Sequence, residues 1–420
     1  LSALADRSGQ EPARRGRLRI SYATLKRGVL WLLTACSGLA LIEPSPYEVV
    51  FLLALFVFAL TGIRFSQKLL PLALLLLLYN IGGTFSLIPW MDDAAAVRFT
   101  AVSVYLMITA VFLAGIMAED PLGRLETLRS GYLFAAWGAG LAGILGYFDI
   151  AGLGSVFTLY GRASGTFKDP NVLGPFLVLP IVYLLHHVLI GRLGLMRGLL
   201  LMSVPLVALF LTFSRGAWGN LVGATLLMIA LTFLTAPNAA GRTRIVALTL
   251  AALGLVSVAL LFALSFENIR SVFEVRASLV QEYDGGVTGR FGNQLRSIPL
   301  LLDEPNGFGP LRFRWLFPED PHNVYINAFA SYGWLGGFSW LALMAATCLV
   351  GWRLVFQRSA RQGHVIVLWS VLFITILQGM QIDTDHWRHM YLMLGLVWGL
   401  AALPVAPQAA PQPRSLRTTT

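Results

Sequence analysis

Residues 267–337 read ENIRSVFEVRASLVQEYDGGVTGRFGNQLRSIPLLLDEPNGFGPLRFRWLFPEDPHNVYINAFASYGWLGG, the one long interruption in an otherwise apolar chain. The polar part carries six arginines (Arg270, Arg276, Arg290, Arg296, Arg312 and Arg314) among eight acidic residues, and His322-Asn323 stands where the next apolar run begins. Arginines and a histidine gathered at a membrane edge suit a phosphate-bearing lipid substrate. A guanidinium stays charged and grips phosphate oxygens with paired hydrogen bonds, which lysine does less well.

Working outward, the composition sets the class. Of 420 residues 56% are hydrophobic and 12% charged, with mean hydropathy +0.70, about half the charged fraction of soluble domains. The chain is therefore read as an all-α polytopic membrane protein surrounded by membrane lipids. Its net charge of +10 does not indicate nucleic acid, because the basic residues sit in short clusters between apolar runs and not along one soluble face. Cys36 and Cys348 both fall inside apolar runs and support neither a disulfide framework nor a metal site.

A bilayer core takes about 20 apolar residues per helix. On that ruler the sequence predicts about twelve spans: 25–42, 47–63, 69–89, 95–117, 131–150, 171–191, 199–213, 216–235, 245–266, 323–352, 364–382 and 389–405. The organisation is then a basic cytoplasmic segment (1–24), nine spans (25–266), a long outer loop (267–321), three more spans (322–405) and a disordered cytoplasmic tail (406–420). The first span follows a basic region as a signal peptide does, but no small-residue cleavage site precedes EPSPYE, so it is read as a retained anchor. The tenth is long and is expected to tilt or break at Gly333, Gly336 and Gly337. Basic pairs such as Arg64 and Lys68, Arg124 and Arg129, and Arg192 and Arg197 recur in every second connection, which places the N-terminus in the cytoplasm and the long loop outside. Within that loop, 266–283 and 290–302 have apolar residues at helical spacing, and NGFGP (306–310) reads as a glycine-rich hinge.

Basic residues on the outer face break the topology rule and become candidates for function. Arg215, in TFSRGAWGN between two spans, has no acid nearby in sequence. Arg290, in TGRFGNQL, is flanked by Gly289 and Gly292, which permit close backbone approach, and Arg296 follows on the same run. Arg162 and Lys168 precede Asp169-Pro170-Asn171 in GRASGTFKDPN, for which an Asp-capped helix start is an equal reading. His322 titrates near neutrality and suits a base towards an acceptor hydroxyl, while a histidine with Asn323 or Asp320 capping the next helix is the plainer alternative. The segment DTDHWRH (383–389) holds His386 and Arg388, read as closing the site; its Asp-x-Asp pair also permits a metal reading, which two carboxylates support weakly. His186-His187, towards the cytoplasmic end of the sixth span, reads as structural.

The order TFSRGAW, then TGR in a long outer loop, then PHN with YG-x-x-G resembles the O-antigen ligase and O-antigen polymerase superfamily of bacterial inner-membrane glycan transferases. GTFKDPN and DTDHWRHMYLMLGLVWGL are similar to members from polysaccharide gene clusters, and the likeness covers about 150–400. The resemblance implies a helical glycosyltransferase of the C type in the bacterial inner membrane, with its active site facing the periplasm. It implies transfer of a glycan from undecaprenyl diphosphate to lipid A-core (a ligase) or to another lipid-linked repeat (a polymerase), with no metal or other cofactor. By the family's pattern Arg215 and Arg290 hold the diphosphate and His322 acts on the acceptor; the glycine spacing is that of the ligases. A lipid-linked oligosaccharide flippase is the alternative from another class, although such transporters place charge at mid-span, where this chain carries almost none.

Overall fold

The computed structural model describes residues 21–267, 270, 286 and 289–404. The basic segment before residue 21, Arg276 with most of the 266–283 run, and the tail from 405 lie outside the described residues. Each predicted apolar stretch contains a helix: α1 (Tyr22–Ala35), α2 (Pro46–Thr61), α3 (Leu70–Leu87), α4 (Ala94–Ile116), α5 (Pro121–Tyr147), α6 (Pro170–Leu189), α7 (Leu195–Leu211), α8 (Arg215–Thr235), α9 (Ala239–Leu264) and, after the loop helix α10 (Arg290–Asp303), α11 (Val324–Val355), α12 (Gln362–Gln378) and α13 (Arg388–Ala402). Among the described residues, five helical stretches are long and apolar enough to cross a membrane: Gln67–Trp90, Ala94–Ile116, Pro170–Leu189, Arg215–Thr235 and Val324–Val355. The protein is an all-α, multi-pass membrane protein.

Two helix ends depart from the hydropathy ruler. Helix α5 starts at Pro121, ahead of the expected 131, because the Asp120 carboxylate caps it by accepting from the Gly123 N–H at 3.1 Å and Pro121 fits the first turn. Helix α1 ends at Ala35, short of 42, where Gly38 presses on α5; a Cβ there would lie 2.9 Å from the Ala135 carbonyl oxygen.

The bundle is assembled from neighbours: α1 packs on α5, α3 on α11, α4 on α13, and α8 on α12, with α6 between α5, α7, α8 and α12. Helix α6 is the centre, 89% of its apolar window being buried despite Pro175 and Pro180. A short hairpin, β1 (Thr158–Leu159) and β2 (Arg162–Ala163), links α5 to α6. Its two turn residues, Tyr160 and Gly161, both have positive φ (52° and 69°), the geometry of a tight two-residue hairpin turn.

The long helix α11 breaks at Gly333 alone (φ 65°, ψ −170°). That break frees the Ala330 carbonyl and the Trp334 N–H, which the ordinary helical ladder would have joined. Both are satisfied by NGFGP and the Pro305 before it: Phe308 and Gly309 donate to the Ala330 oxygen at 2.8 and 3.1 Å, and Trp334 donates to the Pro305 oxygen at 2.8 Å. The expected hinge is thus a backbone plug seated in the break. A Cβ on Gly307 would lie 2.5 Å from the Phe329 oxygen, and one on Gly333 would lie 2.6 Å from the Pro305 oxygen. Gly336 stays helical and serves close packing instead, its backbone lying 2.6 Å from where a Cβ on Gly82 of α3 would stand.

The same end is fastened a second time. Arg312, buried, lies against the rings of Trp90 (4.4 Å) and Trp315 (4.2 Å), which meet edge to face, and donates to Asp93 Oδ2 at 2.7 Å. Trp90 Nε1 donates to the Phe308 oxygen at 3.1 Å, so the α3–α4 turn and the loop behind Gly333 form one body. Arg312 is thus held as a structural cation.

Candidate active site

Helix α10 is amphipathic, with Asn293, Gln294, Ser297 and Leu301 on its buried face. Gln294 Nε2 donates to the Pro321 carbonyl at 2.8 Å, and Trp334 Nε1 of α11 donates to the Leu301 carbonyl at 2.8 Å. These two bonds seat Arg290, the first residue of α10, beside the turn that carries His322. The imidazole is half-buried, and burial first, then the Arg290 charge, hold it below its ordinary value, against the opposite pull of Asp320, Glu319 and Asp169. His322 itself has φ 46°, a left-handed conformation uncommon for a residue with a side chain.

The reason for that sharp turn lies in the next residue. Asn323 caps α11, its side-chain oxygen accepting from Tyr325 N at 3.0 Å and Ile326 N at 3.3 Å. Its own N–H donates to Asp383 Oδ1 at 3.1 Å, and Val324 N donates to the Gly379 oxygen at 2.8 Å. The start of α11 is thereby stitched to the 379–387 segment.

Arg215 opens α8 at the same end. Ser214 caps the helix through Ala217 N at 3.3 Å, and Phe213 before it turns with φ 46°. Beside Arg215, Gly216 lies against Gln378 (a Cβ would be 2.9 Å from Nε2), and Asn220 Nδ2 bonds Gln378 Oε1 at 2.6 Å. Gln378 precedes Gly379, so the start of α8 and the start of α11 share one neighbour. From the hairpin, Arg162 Nε donates to the Thr212 oxygen and Nη2 to Asn171 Oδ1, both at 2.7 Å, joining the α7–α8 turn to the start of α6. Asp169 caps α6 through Asn171 N at 2.7 Å.

Next to this group lies a cavity of about 890 Å³. Lys168, Asp169, Asp320, Asp383, His386 and Arg388 all line it. Lys168 pairs with Glu43 at 2.5 Å and holds that carboxyl below its usual range; Arg388 pairs with Glu48 and lies 5.8 Å from the Tyr47 ring. His386 packs at a tilt on Phe99, ring centroids 4.0 Å apart, with Nε2 3.1 Å from the Phe99 oxygen and Nδ1 3.2 Å from Asp385 Oδ2. Burial opposes its protonation, but Asp385 more than offsets this and raises its pKa. Arg296 is turned to its own helix and the loop, donating to Asn293 Oδ1 at 2.6 Å and lying 5.5 Å from the Phe317 ring.

The pair Asp383 and Asp385 is divided by its partners. Asp385 Oδ2 accepts from Tyr79 and Asn327, each at 3.3 Å, deep among α3 and α11. Asp383 faces the cavity, where burial, then Asp385 and Asp320, push its carboxyl up to about 8 against the pull of the Asn323 and His322 N–H groups. Among the described residues no cluster of three or more His, Cys, Asp or Glu side chains is arranged to hold a metal.

Sequence reasoning passed over Arg98 among the cavity residues, and over the contact that Asp383 makes. Arg98, in the first turn of α4, lines the cavity and acts on Glu43, and the rule that flags outer-face cations applies to it equally. Asp383's bond to the Asn323 backbone, across 60 positions, leaves no local trace in the sequence.

Residues 198–341, from α7 through Arg215, Arg290 and His322 to the break in α11, match the family model described as O-antigen ligase. The match supports the O-antigen ligase and polymerase superfamily indicated by the sequence motifs. No curated protein matches the chain.

Proposed function

From its place in the O-antigen ligase and polymerase superfamily, we propose that this protein transfers a glycan from undecaprenyl diphosphate to a hydroxyl of a glycolipid acceptor, at the periplasmic face of the bacterial inner membrane. The observation that carries the reading is the seating of Arg290 beside His322 by the Gln294–Pro321 bond, with Arg215 opening α8 at the same end.

The chemistry follows from these groups. His322, kept neutral at pH 7 by burial and by Arg290, takes the proton of the acceptor hydroxyl as its oxygen bonds to the anomeric carbon. The bond from that carbon to the diphosphate oxygen breaks, and undecaprenyl diphosphate departs with the electron pair. Arg215 and Arg290 stabilise the charge that grows on it, a contribution of roughly 3–4 kcal/mol for one donor in a comparable site. Lys168, Asp169, Asn171, Arg162, His386 and Arg388 line or brace the neighbouring space and orient the two glycolipids, while Arg296 and Asn323 hold the α10 and α11 turns. The Gly333–Gly336 spacing favours the ligase, with lipid A-core as acceptor, over the polymerase, whose acceptor is a second lipid-linked repeat.

Purified protein given lipid-linked glycan and acceptor in EDTA is expected to form product, and Arg215→Ala to lose it while remaining folded. Full activity in that variant removes the proposal. Movement of labelled carrier across liposomes without any new glycosidic bond would assign the protein to transport instead.

A further inference from the structure

At the opposite end of the bundle, between α5, α6 and α7, lies a second cavity of about 410 Å³ that the transfer reaction does not use. Leucines 128, 179, 184, 201 and 396 form its walls, and Arg129, Ser130 and Arg192 stand at its polar side. It is placed back to back with the larger cavity, for Tyr132 and Leu392 line both. Tyr132 is held there by its hydroxyl, which donates to the Phe176 oxygen at 3.0 Å.

The polar side carries more cationic donors than its one carboxylate, Glu126, can match. Arg129 pairs with Glu126, and its Nη1 faces His187 Nδ1 at 3.3 Å. That nitrogen is also 2.9 Å from the Tyr183 carbonyl oxygen, which can only accept, so Nδ1 carries the proton and offers Arg129 nothing. Arg129 Nε is buried with no hydrogen-bond partner among the described residues. Arg192, exposed in the α6–α7 turn, has no ion pair among them either. With Glu126 balancing Arg129, Arg192 leaves the mouth with a net positive charge.

We propose that this cavity binds an anionic phospholipid of the cytoplasmic leaflet, with one acyl chain in the leucine trough and the phosphodiester against Arg129 and Arg192. The leaflet rests on the orientation read from the basic loops; the site itself does not. A leucine-walled trough with guanidinium groups at its rim matches a chain and a phosphate joined at one end. Basic pockets between helices on the cytoplasmic side are the usual form of an anionic headgroup site. A zwitterionic headgroup is less suited, because its cationic end would meet Arg192.

The test is native mass spectrometry of the delipidated full chain with equimolar phosphatidylglycerol and phosphatidylcholine of the same acyl chains. One phosphatidylglycerol is expected to be retained in about fivefold preference, the ratio that one uncompensated basic residue near the surface supplies. Arg192→Gln, at an exposed turn, is expected to bring the ratio close to one, and Leu201→Trp, which fills the trough and keeps the charges, to reduce total retained lipid. Equal retention of the two lipids by the unaltered protein overturns the proposal, as does an unchanged ratio in Arg192→Gln. Displacement of the lipid by equimolar glycerol phosphate shows that only a phosphate is bound, and overturns it too.

Discussion

Gln294 and Pro321 are joined by a 2.8 Å bond from the buried carboxamide Nε2 to the backbone carbonyl, and this bond positions the helix of Arg290 against the turn of His322. Arg290 and His322, the residues proposed to carry the chemistry, are 32 positions apart, yet the link between their supports is direct. Replacing Gln294 with Ala leaves a buried carbonyl unpaired, at about 1–3 kcal/mol. It also frees Arg290 to shift by something like an ångström, which in a positioned site lowers the rate on the order of a hundredfold. The expected result is a folded protein with normal gel-filtration behaviour and a large fall in turnover. Unchanged turnover would show that α10 is placed by other contacts.

Gly333 and Gly307 are expected to be intolerant of even one methyl group. At Gly333 the backbone occupies a region that only glycine visits readily, and the added carbon would overlap the Pro305 oxygen. Strain and overlap together give a loss of about 2–6 kcal/mol for Gly333→Ala. Thermal unfolding in detergent is the measurement, and Gly138→Ala, whose added carbon meets nothing within 4 Å, is the control.

Arg312 should behave as a clasp and not as a ligand. Its two ring contacts and its bond to Asp93 together are worth about 3 kcal/mol, and Arg312→Lys keeps the charge but loses the planar guanidinium that reaches both tryptophans and the carboxylate at once. Limited proteolysis of the 305–320 segment is expected to accelerate for Arg312→Ala and, by less, for Arg312→Lys.

Asp383 gives the protein a pH signature. A carboxyl at about 8 in the fold, against 3.8 as the ordinary value, binds a proton that the unfolded chain has released. Stability from this group is therefore complete below about pH 4 and declines as pH rises to about 8. Asp383→Asn keeps an acceptor for the Asn323 N–H and carries no charge, so its melting temperature should fall less between pH 5 and pH 8 than that of the unaltered protein. An identical fall in both would exclude this carboxyl as the source.

What could be read in the chain was what local chemistry dictates. Apolar stretches of bilayer length mark the helices, Arg290 follows a turn and begins a helix, and the glycine at 333 breaks one. Helix α5 is longer than its apolar part because PLGRLETLRS, though polar, is capped by Asp120, and hydropathy does not register capping. NGFGP looked like a hinge because glycines permit motion. Its partner, the broken ladder around Gly333, is reached by bonds that span 21 or more positions, and only the folded chain shows the glycines being used for contact. The same applies to the site: the arginines stand out by topology, whereas the Gln294–Pro321 and Asn323–Asp383 bonds join segments with no common pattern.

The back-to-back arrangement at Tyr132 and Leu392 has an electrical consequence. The two hollows reach the same phenol ring and the same isobutyl group from opposite sides, so this pair stands in the partition across which a transmembrane voltage would fall. Tyr132→Ala is therefore expected to raise proton leak in liposomes, and an unchanged leak would show that other side chains close the partition.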